Sequence, residues 1–134
     1  LKRVATHADG WQTDSTPLGV FRERFDTILR YADGLGRDTT NFDGSLHLMV
    51  NINEDEDKAF AEATEFLGSY YGAGAVPRER AETWIASGSP QAVIDKIAAY
   101  IEVGCTMPVL RLVAPNPRDQ LQRCIEEVLP AFGK

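Results

Sequence analysis

Two cysteines in 134 residues, Cys105 and Cys124, offer neither a disulfide framework nor a paired metal-ligand spacing. A reduced, cytoplasmic setting is expected. The sequence also lacks any apolar run near the roughly eighteen residues a membrane span needs, and its first residues show no signal-peptide core. No membrane partner is expected. Positive charge is in short supply: 14 Lys and Arg against 20 Asp and Glu leave a net charge of −6 and a pI near 4.9. With no basic stripe to offset this, no nucleic-acid partner is expected. Fixed-period repeats and low-complexity segments are absent too, and no linker divides the chain. What remains is an ordinary globular mixture, 43% hydrophobic and 25% charged.

Periodicity predicts the elements. Leu1–Ala8 reads as the end of a helix already under way, so that something is expected to precede it. Asp9–Gln12 suits a short strand, after which Thr16 is placed to cap a helix with Pro17 in its first turn. Leu18, Phe21, Phe25, Ile28, Leu29 and Ala32 give that helix one apolar stripe, and Gly34 and Gly36 end it. Over Ser45–Ile52 the period changes to two, with Leu46, Leu48, Val50 and Ile52 on one face of a strand. Asn53 and Glu56 have capping-box spacing before a helix carrying Phe60, Ala63, Leu67 and Tyr70. Residues 73–86 read as a loop with a short helical piece. Ser89-Pro90 opens a helix striped by Val93, Ile97 and Ile101 and stopped by Gly104. Pro108–Ala114 is a third strand, and Asn116-Pro117 opens a last helix with Leu121, Cys124, Ile125, Val128 and Leu129 on one side.

Strands alternating with helices predict an α/β fold with a parallel sheet covered by helices, all of residues 1–134 in one unit. Three strands fall short of the eight strands and about 250 residues of a (β/α)8 barrel. The chain is expected to supply about three β/α units of one, with an inserted helical segment, or else to form an open α/β sheet.

The phrase from Arg3 through Ala5 to Asp9-Gly10-Trp11 resembles the Arg-x-Ala-x-x-x-Asp-Gly-Trp segment of the bacterial luciferase-like family of flavin-dependent oxidoreductases, which includes F420-dependent members. Gly36-Arg37-Asp38 is similar to a turn that family places before its next strand. Gly88-Ser89-Pro90, Gly104, the strand around Arg111 and Glu127–Pro130 follow in the family's order. The resemblance implies the C-terminal portion of a TIM barrel. It further implies FMN or F420 held at the strand ends, a small organic substrate, and monooxygenase or dehydrogenase chemistry. It places part of the phosphate and ring site upstream of Leu1, so that this chain alone is expected to be inactive.

In such a barrel the working residues sit just after the strands, here residues 11–13, 51–53 and 114–116. Trp11 and Thr13 are therefore expected at the cofactor, Trp11 facing the barrel mouth. An indole at a strand end is equally a packing plug. Arg111, between two leucines, is expected to hold an anionic substrate or a flavin oxygen, the alternative being a salt bridge to a neighbouring strand. His47 lies mid-strand and invites a proton-transfer role, but with no carboxylate at an orienting spacing it also reads as a structural histidine. The acids at residues 54–57 read as helix capping rather than a metal site, since a calcium loop's central Gly is missing. Cys105 and Cys124 read as packing residues. No catalytic residue is assigned.

Two hypotheses follow. One is a piece of a flavin- or F420-dependent oxidoreductase whose unpaired sheet edges would drive self-association into homo-oligomers. The other is a free-standing, non-catalytic α/β binding or structural module.

Overall fold

The computed structural model describes residues 1–133. Four strands, β1 (Gly10–Thr13), β2 (Asp43–Ile52), β3 (Ile85–Gly88) and β4 (Met107–Leu112), run parallel in one sheet. Helices α1 (Lys2–His7), α2 (Leu18–Asp33), α3 (Glu56–Tyr71), α4 (Arg78–Trp84), α5 (Pro90–Glu102) and α6 (Pro117–Arg123) surround it. α6 runs on through a π-helical turn, Cys124–Val128, and a 3-10 turn, Leu129–Ala131.

β2 is the hub. Ser45 and Leu46 pair with both β1 and β4, and Met49 and Val50 with both β3 and β4. A strand has two hydrogen-bonding edges, so β4 occupies one and β1 and β3 follow each other along the other. Within β2 only Asp43 and His47 are exposed, the pattern of a parallel strand covered on both faces.

In-register neighbours share a face, and this sorts the side chains. Trp11, Leu46, Leu48, Val50, Leu110 and Leu112 belong to one face, which packs against Phe21, Phe25, Ile28, Val93, Ile97, Tyr100 and Val128 of the helices. On the other face Met49, Ile85 and Val113 lie beneath Ala63 and Leu67 of α3 and Ala81 of α4. We call these the outer and inner faces.

Two glycines allow the outer core to close. At Gly104, which follows α5 with φ +102, a Cβ would lie 3.0 Å from Phe25. At Gly44 it would lie 2.9 Å from both the Gly104 carbonyl and the Phe25 ring, so α2 seats directly on the strand backbone. Buried polar groups tie the helices to the strands. The Tyr100 hydroxyl donates to the Thr16 carbonyl at 2.6 Å, and the Gln120 side chain bonds both the amide (2.7 Å) and the carbonyl (2.8 Å) of Ile52. Cys105 and Cys124 are buried and unpaired with each other, their thiols pushed up by burial.

Ser89 and Asn116 cap α5 and α6 as expected. Thr16 does not cap α2: Pro17 holds the N-cap position, and the Thr16 hydroxyl donates instead to the Asp14 carbonyl. At α3 the cap is Asp55, accepting from the Lys58 amide, while Asn53 accepts from Asp55 in a turn just before it. Residues 73–86, read as a loop with a short helical piece, contain that piece as α4 and also the start of β3, which that reading did not include. Ile101 points outward, 42% exposed, and Tyr100 takes the buried place on α5.

Among the described residues no helix is long and apolar enough to cross a membrane.

Candidate functional site

The inner face ends in a cleft of about 70 Å3, lined by Asp14, Ser15, His47, Met49, Arg111, Tyr71 and Trp84, with Leu48 at its floor. Each residue arrives for a local reason. Asp14 and Ser15 follow β1, where the chain leaves the sheet for α2. His47, Met49 and Arg111 share a face because Arg111 stands opposite Met49 in register and Val109 opposite His47. Tyr71 closes α3 and Trp84 closes α4 just before β3, so these two helices bring an aromatic wall to the middle of β2, the two rings 6.3 Å apart.

The charges in the cleft are arranged asymmetrically. Asp14 Oδ1 lies 3.9 Å from His47 Nδ1, both side chains open to solvent. Ser15 is buried, and its hydroxyl donates to the His47 carbonyl at 2.9 Å, fastening the turn after β1 to the middle of β2. The Arg111 guanidinium lies over the rings of Tyr70 at 4.7 Å and Phe66 at 5.4 Å. It takes part in none of the ion pairs among the described residues, so the alternative of a salt bridge to a neighbouring strand is not realised there.

Further along β2, outside the cleft lining, Asn51 is fully buried. Its amide donates to Glu62 at 3.2 Å and to the Val113 carbonyl at 3.1 Å, leaving Oδ1 without a partner. An orphaned buried acceptor is uncommon, because desolvation costs about 1–3 kcal/mol when no bond replaces water.

Of the three residues expected at a cofactor, Arg111 alone lines this cleft. Trp11 does not face the mouth. Its ring lies 5.3 Å from Phe21 and 6.3 Å from Phe25 in the outer core, because its register partner is Gly44 and parity sends it to the helix side. Thr13, two residues on, shares that parity and meets the Thr16 hydroxyl at 3.1 Å. The structure adds Asp14, Ser15, Tyr71 and Trp84, which the sequence reading did not single out. Extending the strand-end window one residue past Thr13 finds Asp14, and with it the carboxylate that His47 lacked. Tyr71 and Trp84 sit at or beyond the end of the recognised helices and carry no local signal. The acids after β2 have structural work: Glu54 pairs with Arg123 and Asp55 caps α3.

A flavin or deazaflavin would need more room than this cleft, since pockets for such ligands enclose about 300–1,000 Å3. The lining nevertheless suits one wall of such a pocket: a guanidinium in no ion pair among the described residues, and two aromatic rings.

No protein-family model matches the sequence, and no curated protein matches it. Solved structures do. An F420-dependent secondary alcohol dehydrogenase in complex with an F420-acetone adduct superposes with TM-score 0.84 at 14% identity, over 99% of this chain and 46% of that one. The coenzyme F420 dependent tetrahydromethanopterin reductase from Methanopyrus kandleri gives 0.77 at 19% identity, over 98% and 48%. A riboflavin lyase with modified FMN and substrate riboflavin gives 0.70 at 14%, over 98% and 40%. The chain thus spans less than half the length of each. The α/β fold of this chain is found within each of these proteins.

Proposed function

We propose that this chain is the C-terminal portion of a luciferase-like (β/α)8 barrel, residues 1–134 forming one part of a single domain, and that the complete barrel is an oxidoreductase using FMN or F420 on a small organic substrate. The observation that carries this is the cleft: it lies on the inner face, beside the end of β1, the middle of β2 and Arg111 near the end of β4, on the side of the sheet that a closed barrel would enclose. A second observation supports the partial-barrel reading. Leu121, Ile125, Leu129 and Phe132 stand 37–51% exposed along the last helix, an apolar stripe suited to further β/α units.

When bound, the flavin or deazaflavin supplies a ring that accepts or gives a hydride. This chain's residues contribute the surroundings. Arg111 orients a polar or anionic group, Tyr71 and Trp84 keep water from one side, and His47 holds or passes a proton with Asp14 setting its ring orientation.

Fluorescence titration tests the reading. A gene product of the neighbours' full length should quench FMN or F420 at micromolar concentration, while the 134-residue chain leaves both unchanged and self-associates in light scattering. A full-length product that binds neither cofactor sinks the proposal.

A further inference from the structure

We infer that Arg111 is the anchor for an anionic group, a carboxylate or phosphate, on a substrate whose body is flat and apolar. The inference rests on the reading of the cleft as the working site and goes further by naming the substrate class.

The two rings under the guanidinium explain its position and leave its bonding unfinished. Tyr70 and Phe66 meet the guanidinium at 4.7 and 5.4 Å, a cation–π arrangement that satisfies the π-face of the group. Its five N–H donors lie in its plane and point away from stacked rings. None of them finds a carboxylate among the described residues, although the sequence holds 20 Asp and Glu. Arg37, by contrast, reaches both the Ala5 carbonyl and Asp9, and Arg123 binds Glu54 and Glu127. Asp14, the one acid lining the cleft, lies 3.9 Å from His47 and makes no ion pair with Arg111. A half-buried fork whose donors meet no carboxylate among the described residues is open to an acceptor, and two oxygens of a carboxylate or phosphate match that fork as a pair.

The remaining walls define the rest of the ligand. Met49, Tyr71 and Trp84 offer apolar and aromatic surface beside the guanidinium, which favours a ring or planar chain joined to the anion.

The test uses the 15N-labelled 134-residue chain titrated with benzoate, phenyl phosphate and the uncharged benzamide. Both anions should shift the Arg111 Nε–H and Trp84 indole resonances and saturate, with benzamide binding at least about tenfold more weakly, near 1.4 kcal/mol. In Arg111→Gln, with the Trp11 resonance unmoved as a sign of an intact outer core, the preference should vanish. If that variant fails to fold, Arg111→Lys is read instead; it keeps the charge, loses the planar fork, and should shrink the preference to about threefold or less. Equal binding of benzamide, no shift at millimolar anion, or a preference that survives the substitution overturns the inference. Displacement of benzoate by riboflavin, which has no anionic group, also overturns it by assigning Arg111 to the ring. Anion preference in a protein whose full-length form binds no flavin overturns the oxidoreductase reading alone; flavin binding without anion preference overturns this inference alone.

Discussion

The two faces of the sheet are built to different standards. The outer face closes on itself: Phe21, Ile28, Leu46, Val50 and Val93 have no exposed surface, and even its polar groups, the Tyr100 hydroxyl and the Gln120 amide, are bonded. The inner face is covered only where α3 and α4 reach it. It keeps His47 exposed, Arg111 unpaired among the described residues, and an Asn51 oxygen buried without a partner. Unfinished polar groups weaken a core, and a fold retains them where something outside the chain completes them. The contrast therefore separates what holds the molecule together from what it is for, and substitutions on the two faces should have opposite signatures.

The largest effect is expected at Phe21, where three aromatic partners, Trp11, Phe25 and Tyr100, surround a fully buried ring. Phe21→Ala should cost about 3–5 kcal/mol in urea unfolding. A loss below about 1 kcal/mol would mean the outer face is not the stabilising core. Gly44→Ala comes next. Its new methyl would sit 2.9 Å from backbone at Gly104 and from the Phe25 ring, and overpacking of this kind costs about 1–3 kcal/mol. An unchanged unfolding midpoint would show that α2 rides higher on β2 than described.

A smaller effect is expected where the outer core meets the strand ends. Arg123 donates to Glu127, Glu54 and the Ile52 carbonyl, joining the last helix to the segment after β2. Its hydrogen bonds hold the Glu127 and Glu54 carboxyls below their ordinary value of 4.5. Such groups bind protons less readily folded than unfolded, so the stability they add is complete above the ordinary value and is lost as pH falls through the lowered one. Both are exposed and screened by salt, which keeps the effect small. Thermal melts between pH 6 and about 3 should show a steeper acid decline for the native chain than for Arg123→Gln; parallel curves would remove this tie from the account.

The sequence made the outer face readable and the inner one much less so. Stripes at Phe21, Phe25 and Ile28, alternation through Leu46–Ile52, and the caps at Ser89 and Asn116 are local signals, and the structure follows them. Strand β3 is four residues, Ile-Ala-Ser-Gly, emerging directly from α4, too short for alternation to show. Trp11 was expected to face the mouth because it ends a strand, but which side a strand residue faces depends on register with a partner 33 positions away, and Gly44 opposite Trp11 decides it. The cleft fails to show for the same reason: Asp14 and His47 meet only because β1 and β2 lie side by side, and Trp84 reaches them only through the packing of α4 against α3, which no local signal gives. Arg111 was visible because a lone cation between leucines is conspicuous within one strand.

The smallest stability effect is expected on the inner face, and there the comparison is sharpest. The Asp14 side chain is 97% exposed and lies 3.9 Å from His47, too far and too wet for the pair to hold the fold together. Asp14→Asn removes the charge while preserving shape, and the Thr16 bond to the residue's backbone carbonyl is untouched. The unfolding midpoint should therefore stay within error of the native chain. The His47 ring should respond locally, because the carboxylate beside its Nδ1 is gone, and its side-chain NMR resonances should shift while those of Trp11 stay in place. A melting curve that drops as far as that of Gly44→Ala would make Asp14 part of the structural frame. His47 resonances that do not move would remove Asp14 as its partner and return the histidine to a solvent-facing residue with no assigned task.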